Sequence, residues 1–341
     1  MTTSEPSPRE TLWRMANAYQ VSQAIHVAAT LGIADLLQDG PRSAVDLAEA
    51  TGSHAQSPSR LLRALASVGV FTEVDERFGL TPAAEYLRTG VPGSVRPWAM
   101  LVGRPYAWST WAHLLQSIRT GKPAFPELHG TTAWEYRAAH PEEGAIFDAA
   151  MTTLSAGAVN AVVRSYDFSG IGVLADVGGG QGELLAGILD ANPTLRGILF
   201  DQPHVVASAA PLVAQAGVAD RCEIQAGSFF EAVPRGADVY LLKSVVHDWD
   251  DASAVKIFGT CRAAMAGTGT ETGKLLLVEY LVRPGNEPDP LKFRDLMMQV
   301  MLGGRERTAD DFGRLCAAAG FRLTRVIPTG SPYAIIEAEP A

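Results

Sequence analysis

Leu174-Ala-Asp-Val-Gly-Gly-Gly-Gln-Gly182 reads as a short apolar strand running into a glycine cluster, and Phe200-Asp201 follows about one strand-helix-strand step later. Glycines at such a strand end let backbone approach a ligand with no side chain between them. Ala186, Ile188 and Leu189 then fall on one face of a helix, and an acid at the tip of the next strand can accept both hydrogen bonds of a ribose diol. The stretch predicts an open α/β sheet that binds a nucleoside.

The glycine spacing narrows which nucleoside. A pyrophosphate resting on a helix N-terminus needs Gly-x-Gly-x-x-Gly. Here the series is Gly178, Gly180, Gly182, with Glu183 in the place of the third fingerprint glycine. A carboxylate at that helix start repels a phosphate, whereas S-adenosylmethionine (SAM) has no phosphate and carries a sulfonium and an ammonium. A dinucleotide is disfavoured, and SAM is the expected cofactor.

The chain has 341 residues, enough for two domains that each bury a core. Its net charge of −9 opposes a sequence-independent grip on nucleic acid, which needs clustered lysine and arginine. Cys222, Cys261 and Cys316 are widely spaced without a Cys-x-x-Cys pair, so they read as reduced, mostly buried thiols, not as metal ligands. The first residues lack a basic region followed by an apolar run, and no stretch approaches the ~18 apolar residues of a membrane span. A cytoplasmic location and no membrane contact are expected.

Apolar residues recur at helical spacing over 12–37, including Val21, Ile25, Ala28 and Leu31. A capped helix over 43–52, a second over 59–68 and strands at 71–74 and 78–80 around Asp75-Glu76-Arg77 make a winged helix-turn-helix, assigned to residues 1–92. Its second helix offers Arg60 and Arg63, but Leu61, Leu62, Leu65 and Ala66 fill the rest and nothing basic surrounds it. Packing and dimerisation are expected of it, not DNA binding.

Residues 93–168 read as a helical region rich in large side chains: Trp98, Met100, Tyr106, Trp108, Trp111, Phe125, Trp134, Tyr136, Phe147 and Met151. Most are expected in the core, and the same residue types can wall a cavity for a flat aromatic ligand. Residues 169–341 alternate strands (173–177, 197–200, 221–225, 239–242, 274–280, 321–326, 333–337) with helices (182–190, 205–215, 252–265, 309–319). Such alternation means a mostly parallel sheet covered on both faces, closed here by an antiparallel hairpin.

Leu242-Lys-Ser-Val-Val-His-Asp-Trp-Asp-Asp251 follows the fourth strand, so His247 lies at the same sheet end as the glycine loop. Imidazole is the natural general base near neutral pH. Two further acids are expected to converge on it: Glu279, at the end of Leu275-Leu-Leu-Val-Glu, and Glu306, in Gly303-Gly-Arg-Glu-Arg-Thr308. A carboxylate on one ring N–H would fix the tautomer and stabilise the imidazolium. Asp248, Asp250 and Asp251 could suggest a metal cluster, but adjacent acids after a strand usually cap a helix, and no metal is expected.

With these motifs in order, nearly the whole chain resembles the SAM-dependent O-methyltransferases of the plant caffeate and hydroxyindole type, with bacterial relatives in aromatic antibiotic and phenazine pathways. The matching pieces are Asp176-Val-Gly-Gly-Gly-Gln-Gly182, Phe200-Asp-Gln-Pro-His-Val-Val206, Gly227-Ser-Phe-Phe230, Lys243, His247-Asp-Trp249, Glu279, the segment from Gly303 to Thr308, and Gly130-Thr-Thr-Ala-Trp-Glu-Tyr136. The resemblance implies a class I methyltransferase sheet with reversed last strand, a winged-helix dimerisation domain, a homodimer, and methyl transfer to a phenolic hydroxyl of an aromatic small molecule. It implies His247 as base bracketed by Glu279 and Glu306. It places the cofactor on Gly178, Gly180, Asp201, Ser228, Phe229, Lys243 and Trp249, and the acceptor on Phe147, Met151, Asp248 and Met298.

One position departs from the family, which usually has an acid where Ser228 stands. The charge assistance to the adenine amino group is then gone. Two other functions remain open on sequence: a SAM-binding enzyme doing hydroxylation, decarboxylation or cyclisation, and a ligand-sensing winged-helix regulator.

Overall fold

The computed structural model describes residues 6–266 and 273–341, and the chain divides into two compact units, Met1–Trp108 and Ser109–Ala341. The first unit holds α1 (Pro8–Thr30), α2 (Ile33–Leu36), β1 (Arg42–Ser43), α3 (Ala44–Thr51), α4 (Ser57–Ser67), β2 (Phe71–Val74), β3 (Arg77–Leu80), α5 (Pro82–Glu85) and α6 (Arg96–Val102). Ser43 starts α3 by accepting from the Asp46 amide at 3.2 Å while the Asp46 carboxylate accepts from the Ser43 amide, a capping box. β2 and β3 pair through a two-residue turn whose members, Asp75 and Glu76, both have positive φ (48° and 60°), the geometry that matches strand twist.

The wing is therefore present as expected, with one strand more: β1 pairs antiparallel with β3. Two residues are too short a run for any alternation to show. Leu62 and Leu65 of α4 are buried in this unit's core, and Arg63 is spent on Glu73 at 2.9 Å. Leu12, Trp13, Met15 and Tyr19 of α1 are all more than half exposed.

α7 (Pro105–Trp111) crosses the division between units. The second unit continues with α8 (Leu114–Thr120), α9 (Ala124–His129), α10 (Ala133–Ala139), α11 (Pro141–Ser165), β4 (Val173–Val177), α12 (Glu183–Ala191), β5 (Arg196–Asp201), α13 (Pro203–Val206), α14 (Ala210–Gln215), β6 (Cys222–Ala226) and β7 (Val239–Lys243). After these come α15 (Asp251–Met265), β8 (Lys274–Tyr280), α16 (Leu291–Met301), α17 (Ala309–Ala318), β9 (Phe321–Pro328) and β10 (Tyr333–Pro340). The seven strands order as β6-β5-β4-β7-β8-β10-β9, parallel except β10, which runs antiparallel to both neighbours.

Both faces are covered, so the central strands are apolar along most of their length. Val239 and Leu241 of β7 enter one core with Leu184, Leu185, Ile188 and Leu189 of α12; Tyr240 and Leu242 enter the other with Ile257 and Phe258 of α15. Strand order reverses between β4 and β7, and in such sheets the crevice beyond the strand ends at that reversal is the ligand site. The loops leaving those two strands carry the glycine cluster and His247.

Three expectations are corrected. The helix over 205–215 is two pieces, α13 and α14, because Pro211 has no N–H to continue the ladder and its ring excludes the carbonyl four residues back. Of the ten large side chains expected mostly in the core, only Tyr106 and Phe125 are fully buried, and the other eight are half-buried. Helix α16 went unpredicted. Its apolar residues Leu291, Phe293, Leu296, Met297, Met298, Val300 and Met301 surround most of the helix, leaving no clean period.

Candidate active site

β4 delivers the chain into the glycine loop under tight steric control. Gly178 has φ +71°, and a Cβ there would lie 2.8 Å from Val245. The loop is tied to the next strand by the Gly178 amide donating to the Phe200 carbonyl at 2.8 Å and by the Gly180 amide donating to Asp201 Oδ2 at 2.8 Å. The other Asp201 oxygen accepts from the Gln202 amide at 2.6 Å. Burial raises the Asp201 pKa against these bonds.

Beneath the loop, Asp176 is 1% exposed and neither carboxylate oxygen has a hydrogen-bond partner. Burial pushes its pKa up to about 7, although the nearby Lys243 ammonium opposes the shift. Asp176, Asp201, Asp248, Glu279 and Glu306 gather at this end of the sheet, with Lys243, His204, Arg294 and His247 as neighbouring basic groups. A sulfonium and an ammonium fit that field; a pyrophosphate does not.

Aromatic rings form the side of the crevice. Trp249 packs edge-on against Phe229 (5.9 Å) and Phe230 (4.7 Å) and stacks on Trp134 at 6.2 Å; Trp134 meets Phe147 edge-on at 5.7 Å. Ser228 accepts from the Phe230 amide at 3.3 Å and opens the turn that presents Phe229. Lys243 projects at the end of β7, 5.9 Å from the Tyr333 ring.

His247 sits in a single 3₁₀ turn, Val246–Asp248, and is 4% exposed. Its Nδ1 lies 2.7 Å from Glu279 Oε2, while Glu279 Oε1 accepts the Val245 and Val246 amides at 3.0 and 2.8 Å. One carboxylate thus fixes both the turn and the ring. At Nε2 two neighbours compete, each at 3.3 Å: Asp248 Oδ1 favours a proton there, and Arg294 Nη2 disfavours one. Burial alone would lower the imidazole pKa, but the Glu279 and Asp248 carboxylates outweigh it and raise it to about 10.

Glu306 completes the cluster. Its amide donates to Asp295 Oδ1 at 2.8 Å, and its Oε1 pairs with Arg294 Nε at 2.8 Å. Burial raises the Glu306 pKa. Ligand atoms of His247, Glu279 and Glu306 lie within 4.8 Å of one another, a set of metal-binding type. The Arg294 guanidinium already supplies the positive charge there. Of the neighbouring acids, Asp250 caps α15 through the Ser253 amide (2.8 Å) and Asp251 pairs with Arg307 (2.7 Å) and Arg305 (3.1 Å).

The structure therefore brings His247, Glu279, Glu306 and Asp248 together, and sets Phe229 beside the glycine loop with Trp249 packed against it. Met298 is buried on α16, one turn after Arg294 on the same face; Phe147 and Met151 are half-buried on α11. Sequence reading passed over Arg307, which is 1% exposed and donates to the Val246 and Trp249 carbonyls at 2.9 and 2.8 Å, clamping the His247 turn from both sides. It also passed over Gly304, where a Cβ would collide with the His247 carbonyl, and over Asp295 and Arg294. Arg307 and Gly304 stood inside a recognised motif; Arg294 and Asp295 lay on the unpredicted helix.

A seven-stranded sheet with a reversed last strand, a glycine loop after β4 and an acid at the end of β5 have the layout of a class I SAM-dependent methyltransferase. The chain belongs to the O-methyltransferase family: residues 111–322 match the O-methyltransferase domain and residues 13–90 the O-methyltransferase dimerisation domain. It is 46% identical over 330 residues to a phenazine O-methyltransferase of Lysobacter antibioticus, covering 96% of this chain and 95% of that one. The crystal structure of LaPhzM superposes with a TM-score of 0.94 at 45% identity, over 98% of this chain and 100% of that chain. Human N-acetylserotonin methyltransferase in complex with SAM gives 0.89 at 26% identity, over the full length of both. The protein is a SAM-dependent O-methyltransferase, and SAM is its cofactor.

Proposed function

We propose that His247 takes the proton of a phenolic hydroxyl on an aromatic small molecule, and that this oxygen accepts the methyl group. The observation that carries the reading is the His247–Glu279 contact of 2.7 Å in a buried turn at the sheet reversal. An ordinary imidazole (pKa ~6.5) would take a proton from a phenol (pKa ~10) uphill by roughly 5 kcal/mol. With its pKa raised to about 10, His247 is matched to the phenol and that cost largely disappears. A phenolate entering against a protonated His247 has the same proton count as a phenol entering against a neutral one. Either route leaves the imidazolium beside Glu279.

SAM supplies an electrophilic methyl on a sulfonium. In this reading Asp201 holds its ribose, Gly178 and Gly180 admit its methionine part, Phe229 and Trp249 flank the adenine, and Ser228 and Lys243 are further polar contacts. In the same reading Phe147, Met151 and Met298 pack on the acceptor ring and Asp248 reaches its polar edge. The relatedness to a phenazine O-methyltransferase supports an aromatic acceptor from secondary metabolism. The dimerisation domain and the exposed Leu12, Trp13, Met15 and Tyr19 of α1 support a homodimer. No single described helix is long and apolar enough to cross a membrane.

His247→Ala is expected to lower kcat by about 10²–10⁴ while SAM affinity, read by calorimetry, stays near the wild-type value. S-adenosylhomocysteine (SAH) release at close to the normal rate would overturn the base assignment.

A further inference from the structure

Arg137, on α10, is a buried cation without an anion. It is 8% exposed, yet its Nε and Nη1 are buried with no hydrogen-bond partner, and among the described residues no carboxylate pairs with it. The contrast with its neighbours is direct. Arg307 donates to the Val246 and Trp249 carbonyls and to Asp251, and Arg294 pairs with Glu306 at 2.8 Å. Burial strips a charge of its water, and without a partner nothing in the protein offsets that loss.

What Arg137 does touch is aromatic. Its guanidinium lies over the Phe147 ring at 3.8 Å and over the Trp134 ring at 5.3 Å, and Trp134 stacks in turn on Trp249 at the side of the crevice. Asp148, next to Phe147 on α11, is within electrostatic reach of Arg137, His204 and Asp201 alike, so the cation stands on the same side of the crevice as the acid that ends β5. Stacking on a ring holds a guanidinium flat and turns its N–H fork outward along the ring plane. That fork matches the two oxygens of a carboxylate. Asp148 and Asp201 favour such a single negative charge over the double charge of a phosphate.

We propose that Arg137 binds the carboxylate of a ligand seated in the crevice. Two ligands of the reaction can bring one: an aromatic acceptor that carries an acid group as well as its hydroxyl, and SAM through its methionine end. The stacking on Phe147 favours the acceptor, and that source rests on the reading of Phe147 as part of the acceptor wall.

The test reads affinities by calorimetry, without turnover, for the wild type, Arg137→Met and Arg137→Lys, so failure of the His247 assignment leaves it intact. One arm compares hydroxynaphthoates with their methyl esters on the SAH-bound enzyme. The other compares SAM with decarboxylated SAM, which lacks only the carboxylate. In one arm the wild type is expected to prefer the carboxylate ligand by about 10- to 100-fold, the worth of a charged hydrogen-bonded pair. That ratio should fall toward one in Arg137→Met and recover in part in Arg137→Lys. Loss of the ratio in the first arm assigns the acceptor as the source, and loss in the second assigns SAM.

Arg137→Met should also unfold at no lower denaturant concentration than the wild type, because in the ligand-free protein it removes a charge that has no partner. Ratios near one in both wild-type arms, or ratios that survive Arg137→Met, overturn the proposal. Surviving ratios together with easier unfolding would make Arg137 a packing residue for Phe147 and Trp134.

Discussion

Two buried glutamates of the second unit, one on β10 and one in the loop before α17, are treated in opposite ways. Glu337 on β10 is 2% exposed and fully engaged: Arg325 donates to both of its oxygens (2.9 and 2.7 Å), with Tyr166 at 2.6 Å, Thr324 at 2.9 Å and Lys274 at 3.2 Å. Burial would raise its pKa, but these donors overcome it and bring it down to about 2. Glu306 is 6% exposed, is held by one ion pair to Arg294 at 2.8 Å, and burial moves its pKa upward. A satisfied buried charge stabilises the fold. A sparsely paired one is typical of a functional site.

Glu279 stands between these extremes and gives the largest expected effect. It is fully buried and satisfies His247 together with the Val245 and Val246 amides, so Glu279→Ala frees the ring and strands two backbone donors. We expect kcat to fall by about 10³–10⁴ and stability by about 3–5 kcal/mol, read by SAH release and by denaturant unfolding. Intact stability with lost activity would place Glu279 with Glu306, as a group kept for chemistry alone.

Glu337→Gln should separate the two roles from the other side. Stability should drop by about 3 kcal/mol with kcat unaffected, since no described contact links Glu337 to the crevice. The pH dependence has a definite sign: a carboxylate whose folded pKa is depressed stabilises the fold above its ordinary pKa near 4.5, and the contribution is lost as pH falls toward about 2. The thermal midpoint of the variant should therefore decline less over that acid range than that of the wild type. A parallel decline would refute the assignment.

The smallest expected effect is at Ser228. A serine hydroxyl can accept from the adenine amino group only without charge assistance, so Ser228→Asp is expected to tighten SAM binding by about 1 kcal/mol, roughly fivefold. Equal calorimetric affinities would remove Ser228 from the cofactor contacts.

Legibility in the sequence followed how local each cause was. β4 and its glycine loop, the Ser43 capping box and the Asp75-Glu76 hairpin depend on neighbours within a few residues, and each was readable there. β1 escaped because its pairing partner lies 36 residues away in β3, and α16 because its apolar residues encircle it. His247, Glu279 and Glu306 were found one by one from strand ends and a motif. Their distances, and the guanidinium among them, were not.

The sequence by itself determined that a parallel sheet with a reversed last strand binds SAM beside a histidine, because period, glycine spacing and strand-end residues are properties of contiguous chain. Only tertiary structure decided what that histidine is chemically. Its pKa, its tautomer and its companion Arg294 come from β8, α16 and the loop after it, segments 32 to 59 residues further along. Electrostatic interaction depends on distance through space and on burial, and neither is written in the order of residues along the chain.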